Sequence, residues 1–231
     1  MWNGKNKAVT FSYDDGVVQD FRLVALFNRY GLKSTFNINS ELLGLKEVIV
    51  RSGVDVCHDK IRPSELKELY KGHEVAVHTL THPNLTVLDE AEIIRQVEED
   101  RKNLEKLAGY EIIGMAYPCG GVNNDDRVAE IIRNNTKIKY SRTITSTHSF
   151  DLQENLLRFN PTAYTNITEE TEDAVDRFLK LETDKPKLLY IWGHAYEFDI
   201  NDRWGWFEKI CEKLSGHDDI FYGTNKEVFF G

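Results

Sequence analysis

Short apolar segments rich in β-branched and aromatic residues alternate with amphipathic helical segments along the chain, and this alternation limits the fold more than any other feature. Residues 7–13, 34–39, 74–78, 112–117, 140–144 and 188–192 read as strands, with 221–223 as a last short one. Residues 17–30, 65–70, 89–107, 126–134, 168–181 and 204–214 read as helices, and Gly31 and Gly72 follow the first two as stop signals. In 89–107, Asp89 and Glu92 predict a capping box, and Ile93, Ile94, Val97, Leu104 and Leu107 lie close to one face. Strands alternating with helices predict an α/β protein with a parallel sheet and helices outside. The 231 residues are enough for one core, so a single domain over 1–231 is expected. Its roughly seven strand–helix units favour a closed or nearly closed β/α barrel over an open doubly wound sheet. No GxGxxG or GxxxxGK[ST] follows the first strand, so nothing supports nucleotide binding at that turn.

Charge narrows the partners. The net charge is −9, which lacks the basic footprint of nucleic-acid binding and suits an anionic membrane surface poorly. Neither a nucleic acid nor a membrane is therefore an expected partner, and the oligomeric state is not legible. No apolar run approaches the ~20 residues of a membrane span, and the first residues have no apolar signal-peptide core. The sequence as it stands reads as cytoplasmic. Cys57, Cys119 and Cys211 are odd in number and far apart, which predicts free thiols rather than a disulfide frame or a CxxC zinc pattern.

The informative residues fall at the carboxyl ends of predicted strands, the rim that builds active sites in β/α folds. The first strand ends Tyr13-Asp14-Asp15-Gly16. Adjacent carboxylates there are costly unless a cation is near, although Asp-Asp-Gly alone is also an ordinary turn. The third strand ends His78-Thr79-Leu80-Thr81-His82-Pro83. Histidines at i and i+4 converge on one metal if the chain curls into a helical turn there; taken singly they read equally well as surface histidines. Thr79 rules out the HExxH pattern. A carboxylate with two imidazoles makes a metal site with open positions. The fourth strand ends Ala116-Tyr117-Pro118-Cys119-Gly120-Gly121, where a tight turn can present a backbone N–H to an oxyanion. A later strand ends Trp192-Gly193-His194-Ala195-Tyr196-Glu197, where a histidine beside aromatic residues suits a general acid next to a sugar.

Taken in order, Asp14-Asp15-Gly16, His78-x-x-x-His82, Tyr117-Pro118-Cys119-Gly120 and Trp192-Gly193-His194 resemble the polysaccharide deacetylase family, the NodB-homology or carbohydrate esterase family 4 domain, over roughly residues 7–199. The resemblance implies a distorted (β/α)7 barrel and a metal-dependent hydrolase that removes acyl groups from carbohydrate. It makes Asp14 the catalytic base, Asp15, His78 and His82 the metal ligands, the Cys119 amide an oxyanion donor and His194 the general acid. Three positions depart from the pattern. Ala116 stands where the family carries an Arg that steadies the base, and Arg142, in another predicted strand, is the candidate replacement. The Asp-x-x-Asp-Trp motif that tunes the acid histidine is not visible, leaving Asp151 or Glu197 as its partner. Trp192 occupies a position that is commonly Leu. These departures point to a divergent branch.

The expected cofactor is one divalent ion, zinc first, with cobalt, iron, manganese and nickel also fitting two imidazoles and a carboxylate. The expected partner is an acylated carbohydrate. Tyr117, Trp192, Tyr196 and Glu197 are the substrate-binding candidates, and Tyr13, Trp204 and Trp206 are further stacking candidates, Trp204 and Trp206 foremost. Two other readings remain: a metal-containing carbohydrate-binding protein without catalysis, and a hydrolase of a non-sugar amide on the same scaffold. Cys57 and His58 lie in a connecting segment and carry no expected role.

Overall fold

Lys7–Asp14, KAVTFSYD, mixes polar and apolar residues, yet all eight are buried. A strand covered on both faces belongs inside a parallel sheet between helical layers, and this one, β1, is an interior strand of the sheet. The structure, a computed structural model, describes residues 1–231. The further strands are β2 (Ser34–Ile38), β3 (Val48–Arg51), β4 (Val54–Cys57), β5 (Glu74–Val77), β6 (Gly114–Ala116), β7 (Tyr140–Arg142), β8 (Ala163–Tyr164), β9 (Lys187–His194) and β10 (Ile220–Tyr222). The α-helices are α1 (Asp20–Arg29), α2 (Leu66–Leu69), α3 (Glu90–Ala108), α4 (Asp126–Asn135), α5 (Thr168–Leu179), α6 (Trp204–Leu214) and α7 (Asn225–Phe230).

The main sheet runs β7-β6-β5-β2-β1-β9-β8, with every pairing parallel. β10 pairs with the start of β1, at Lys7 to Val9, beside the stretch Phe11 to Asp14 that pairs with β2. The seven strands of the main path form a curled half-barrel, the distorted (β/α)7 fold expected from the sequence. Its open seam is spanned by one segment. The Phe159 amide donates to Ser141 O at 3.0 Å on the β7 side, and the Thr162 amide donates to Tyr190 O at 2.8 Å on the β9 side.

Aromatic packing anchors the end of β1 that carries the acids. Phe11 and Phe27 have ring centroids 4.8 Å apart, Phe198 and Phe207 stack at 4.5 Å, and Tyr13 sits among them, fully buried. Tyr13 is therefore core, not a sugar platform. Trp204 is also core: it is 4% exposed, and its indole N–H donates to Asp199. Trp206 donates its indole N–H to Glu172 on α5 and is not among the residues that line the cavity at the strand ends.

Several boundaries differ from expectation. The first helix begins at Asp20 because Val17 bridges to Lys60, which holds 17–19 out of the helix. Only half of the predicted capping box forms at α3: Asp89 accepts from the Glu92 amide, whereas the Glu92 carboxylate is taken by Arg95 and Gln96. A complete box, Thr224 with Glu227, opens the unanticipated α7. The antiparallel hairpin β3–β4 was also unanticipated. Its turn residues Ser52 and Gly53 have φ of 52° and 76°, the left-handed pair that tight hairpins favour. Cys57, Cys119 and Cys211 are free thiols. No helix is long and apolar enough to cross a membrane.

Candidate active site

Parallel register brings the strand ends to one rim. Asp14 pairs with His194 across β1 and β9, and with Asn37 across β1 and β2. His78 follows β5 directly, and Tyr117 follows β6. Asp14, His78, Tyr117 and His194, together with Asp15, His82, Cys119 and Gly120, line a cavity of about 310 Å³, joined by Arg51, Ile144, Tyr164 and Trp192. Asp15, Thr79, His82 and Cys119 all hold positive φ, between 63° and 83°. Side chains bearing a Cβ adopt that region at a cost, and such strain gathers at functional sites. It also corrects one expectation. His78 and His82 converge through a left-handed turn, closed by the His82 amide donating to Thr79 Oγ1 at 3.1 Å, and not through a turn of α-helix.

The donor atoms of Asp15, His78 and His82 lie within 4.8 Å of one another. Asp15 Oδ1 is 3.8 Å from His78 Nε2 and 3.6 Å from His82 Nε2. His78 Nδ1 lies 2.8 Å from Ala116 O, which assigns the proton to Nδ1 and leaves the Nε2 lone pair facing Asp15. Burial pushes His78 down to about 4 and lowers His82, so both imidazoles are neutral. Burial alone would raise Asp15, but Lys60, a hydrogen bond from His58 and the nearby His194 and His78 together outweigh it and hold the carboxyl well below the usual range. A deprotonated carboxylate and two neutral imidazoles facing one point fit a divalent metal and leave positions open for water and substrate.

Asp14 is built differently. Both of its oxygens lie 2.5 Å from Arg142 Nη2, and Oδ1 also accepts from Asn37 at 2.7 Å. Oδ2 lies 3.9 Å from both His78 Nε2 and His194 Nε2. Burial works against this charge, yet Arg142, His78 and His194 together hold the pKa below its ordinary value. Arg142 thus reaches the acid from β7. Ala116, where the family pattern has Arg, is its register partner on β6, so the cation has moved over by one strand. The guanidinium lies 4.4 Å from the Trp192 ring centroid, and the Tyr164 ring stacks on the same indole at 4.2 Å. The aromatic at 192 therefore packs against the relocated cation.

His194 Nδ1 is 3.4 Å from Glu197 Oε2, and Tyr164 donates its hydroxyl to Glu197 Oε1. Glu197 is the partner of this histidine. It is buried behind the ring rather than on the cavity wall, which corrects its reading as a substrate contact. Asp151 is remote and pairs with Lys187. Burial opposes the imidazolium, but Glu197, first among the acids here, together with Asp15 and Asp14 outweighs it and raises His194 to about 9. Glu197→Gln should lower the His194 titration from about 9 towards or below the ordinary 6.5, followed by NMR of the ring. An unmoved titration would assign the charge to Asp14 and Asp15 instead.

Tyr117 and Trp192 line the cavity, while Tyr196 lines an adjoining one of about 260 Å³. The Cys119 amide donates to no protein acceptor, so it is available at the turn. The sequence reading gave no role to His58 and did not consider Lys60. His58 Nε2 lies 3.2 Å from Asp15 Oδ2, with Nδ1 2.6 Å from Glu47, and Lys60 Nζ lies 3.9 Å from Asp15 Oδ1. Both follow β4, and the valine-rich segments flanking Ser52-Gly53 were the available signal.

The chain is 34% identical over 62 residues to the peptidoglycan-N-acetylmuramic acid deacetylase PdaC of Bacillus subtilis (strain 168), covering 27% of this chain and 13% of that protein. It is 30% identical over 129 residues to the peptidoglycan-N-acetylglucosamine deacetylase PgdA of Listeria monocytogenes, covering 55% of this chain and 24% of that protein. The chain thus spans a quarter or less of these curated relatives' lengths. Among solved structures, the Xyl-CE4 domain of a multidomain xylanase from the hindgut metagenome of Trinervitermes trinervoides superposes with a TM-score of 0.61 at 17% identity, over 97% of this chain and 90% of that one, which is a likeness of fold. The polysaccharide deacetylase family model matches residues 3–140, well over half of the chain and the whole stretch from the paired acids through both histidines to the Cys119 turn, so the chain belongs to the polysaccharide deacetylase family.

Proposed function

We propose that this protein is a metal-dependent hydrolase that removes acetyl groups from N- or O-acylated carbohydrate. One observation carries the reading: an ionised, Arg-held carboxylate, Asp14, and a protonated histidine, His194, face each other across 3.9 Å beside the Asp15–His78–His82 cluster. A buried acid and base with pKa values driven apart is how one site performs both proton transfers at neutral pH.

Asp15, His78 and His82 would hold the divalent ion, zinc first among those that suit the donors, and the ion would supply Lewis acidity and a water of lowered pKa. Asp14 takes the proton of the attacking water on Oδ2, the oxygen that Asn37 leaves free. Arg142 keeps that carboxylate ionised and fixed. The Cys119 amide donates to the oxygen that becomes negative as the acyl carbon turns tetrahedral. His194, held as imidazolium by Glu197, gives its Nε2 proton to the departing amine or alkoxide. Tyr117 and Trp192 form part of the cavity wall beside the sugar, the indole itself being packed against Arg142 and Tyr164.

The names of the relatives point to peptidoglycan or a related acetylated polysaccharide as the natural substrate class. The test is release of acetate from N-acetylated and O-acetylated oligosaccharides and from peptidoglycan. Turnover should be lost on chelation and restored by added zinc or cobalt. Absence of turnover on every acetylated sugar, with metal bound, would favour the binding-protein reading. Turnover confined to small amides would favour the other hydrolase.

A further inference from the structure

We propose that Arg51 is the recognition cation for a carboxylate carried by the substrate, so that the site selects an acylated sugar with an acidic group close to the reacting acyl group. This rests on the deacetylase reading above and names the substrate class of that same site.

Arg51 ends β3 and lines both the catalytic cavity and the adjoining 260 Å³ cavity, which also share Asp15 and His82. The hairpin is fixed at its base: the His58 amide donates to Glu47 O at 2.9 Å, and Gln19 donates to Cys57 O at 2.8 Å. Arg51 is thus carried to the rim by an element tied to the barrel.

The other charges at the site are paired. Asp14 is held by Arg142 at 2.5 Å, Asp15 by His58 at 3.2 Å, His194 by Glu197 at 3.4 Å and Glu47 by His58 at 2.6 Å. Arg51 has one polar partner, the neutral Tyr196 hydroxyl at 3.3 Å, and no carboxylate within ion-pair distance. A guanidinium with donors to spare recognises a carboxylate through paired N–H bonds. Asp14, Asp15, Glu47 and Glu197 each already face a cation or imidazole of the site, and Lys60 lies against Asp15, so Arg51 is the cation left over for an incoming anion. Leu42, Ile49 and Val50 give the adjoining cavity an apolar wall for the carbon skeleton that bears the acid.

The carboxylate can come from a lactyl ether on an N-acetylated hexosamine or from a uronic acid neighbouring an acetylated sugar. The experiment compares kcat/KM for three acetylated oligosaccharides, one of each acidic kind and one neutral, in the wild type, Arg51→Gln and Arg51→Glu. The ratio of acidic to neutral kcat/KM should fall about tenfold or more in Arg51→Gln, mainly through KM, and further in Arg51→Glu. Loss on the lactyl substrate alone, or on the uronate alone, identifies the source. An unchanged ratio for both acids overturns the proposal and leaves the deacetylase reading intact. If the wild type hydrolyses none of the three, the deacetylase reading fails. Calorimetric binding of the same sugars then decides Arg51 separately: preference for an acidic sugar, lost in Arg51→Gln, supports it, and equal binding of acidic and neutral sugars overturns it.

Discussion

Replacing Asp14 by Asn is expected to lower kcat for deacetylation by about 10²–10⁴-fold while the protein still binds its metal, because a positioned general base contributes a factor of that order. The substitution keeps size and shape but removes the charge that accepts a proton. The proposed ligands, Asp15, His78 and His82, are untouched, and their mutual distances do not depend on Asp14. Two side effects need control. Arg142 becomes a buried cation without its anion, so the variant's unfolding transition must be recorded beside its kinetics. His194 loses one of the charges that raise its pKa, although Glu197, the larger contributor, stays. Acetate release under saturating substrate, with metal content measured on the same preparation, decides the matter. A folded, metal-loaded Asp14→Asn variant turning over within a few fold of wild type would remove Asp14 from the role of base.

How much of this was legible in the sequence follows from the range of each interaction. The strand-end motifs were legible because a parallel β/α fold puts every strand's carboxyl end on one rim, so Asp14, Asp15, His78 and His194 gather without knowledge of side-chain paths. Their partners were harder. Arg142 was a candidate because the expected position held Ala116, but only the β6–β7 register shows that the two residues stand side by side. Glu197 was one of two candidates; local geometry favours it because one turn after His194 brings its carboxylate back to the ring. Trp204 and Trp206 misled because sequence proximity to His194 says nothing about which side of α6 faces the cavity, and both indoles turn to acids on other elements. The His58–Lys60 pair and Arg51 were missed for one shared reason. β3 and β4 lie outside the main sheet, and Val48, Val50 and Val54 are exposed, so no burial pattern announces them. Their proximity to Asp15 and His82 is a property of long-range packing.

The largest expected effect on stability comes from Arg142→Met. Removing one member of a buried ion pair strands the other, at a cost of about 3–5 kcal/mol. Here the stranded group is Asp14, 2% exposed, and the Trp192 face loses its cation as well. The sign with pH follows from the carboxyl. Its folded pKa is depressed below 3.8 despite burial, so the pair contributes stability that is fully present above that value and is lost as pH falls through the folded pKa. Without Arg142 burial dominates and the Asp14 pKa rises, so protonation relieves the variant at a pH where the wild type is still ionised. The deficit measured by urea unfolding should therefore be large at pH 7 and shrink towards pH 4, and the acid limb of the pH–rate profile should move to higher pH. Arg142→Lys keeps a charge but not the planar contact with both Asp14 oxygens and Trp192, and should fall between the two. A deficit equal at pH 7 and pH 4 would mean that Arg142 matters to this fold through packing alone, and the account of how Asp14 is kept ionised would fail with it.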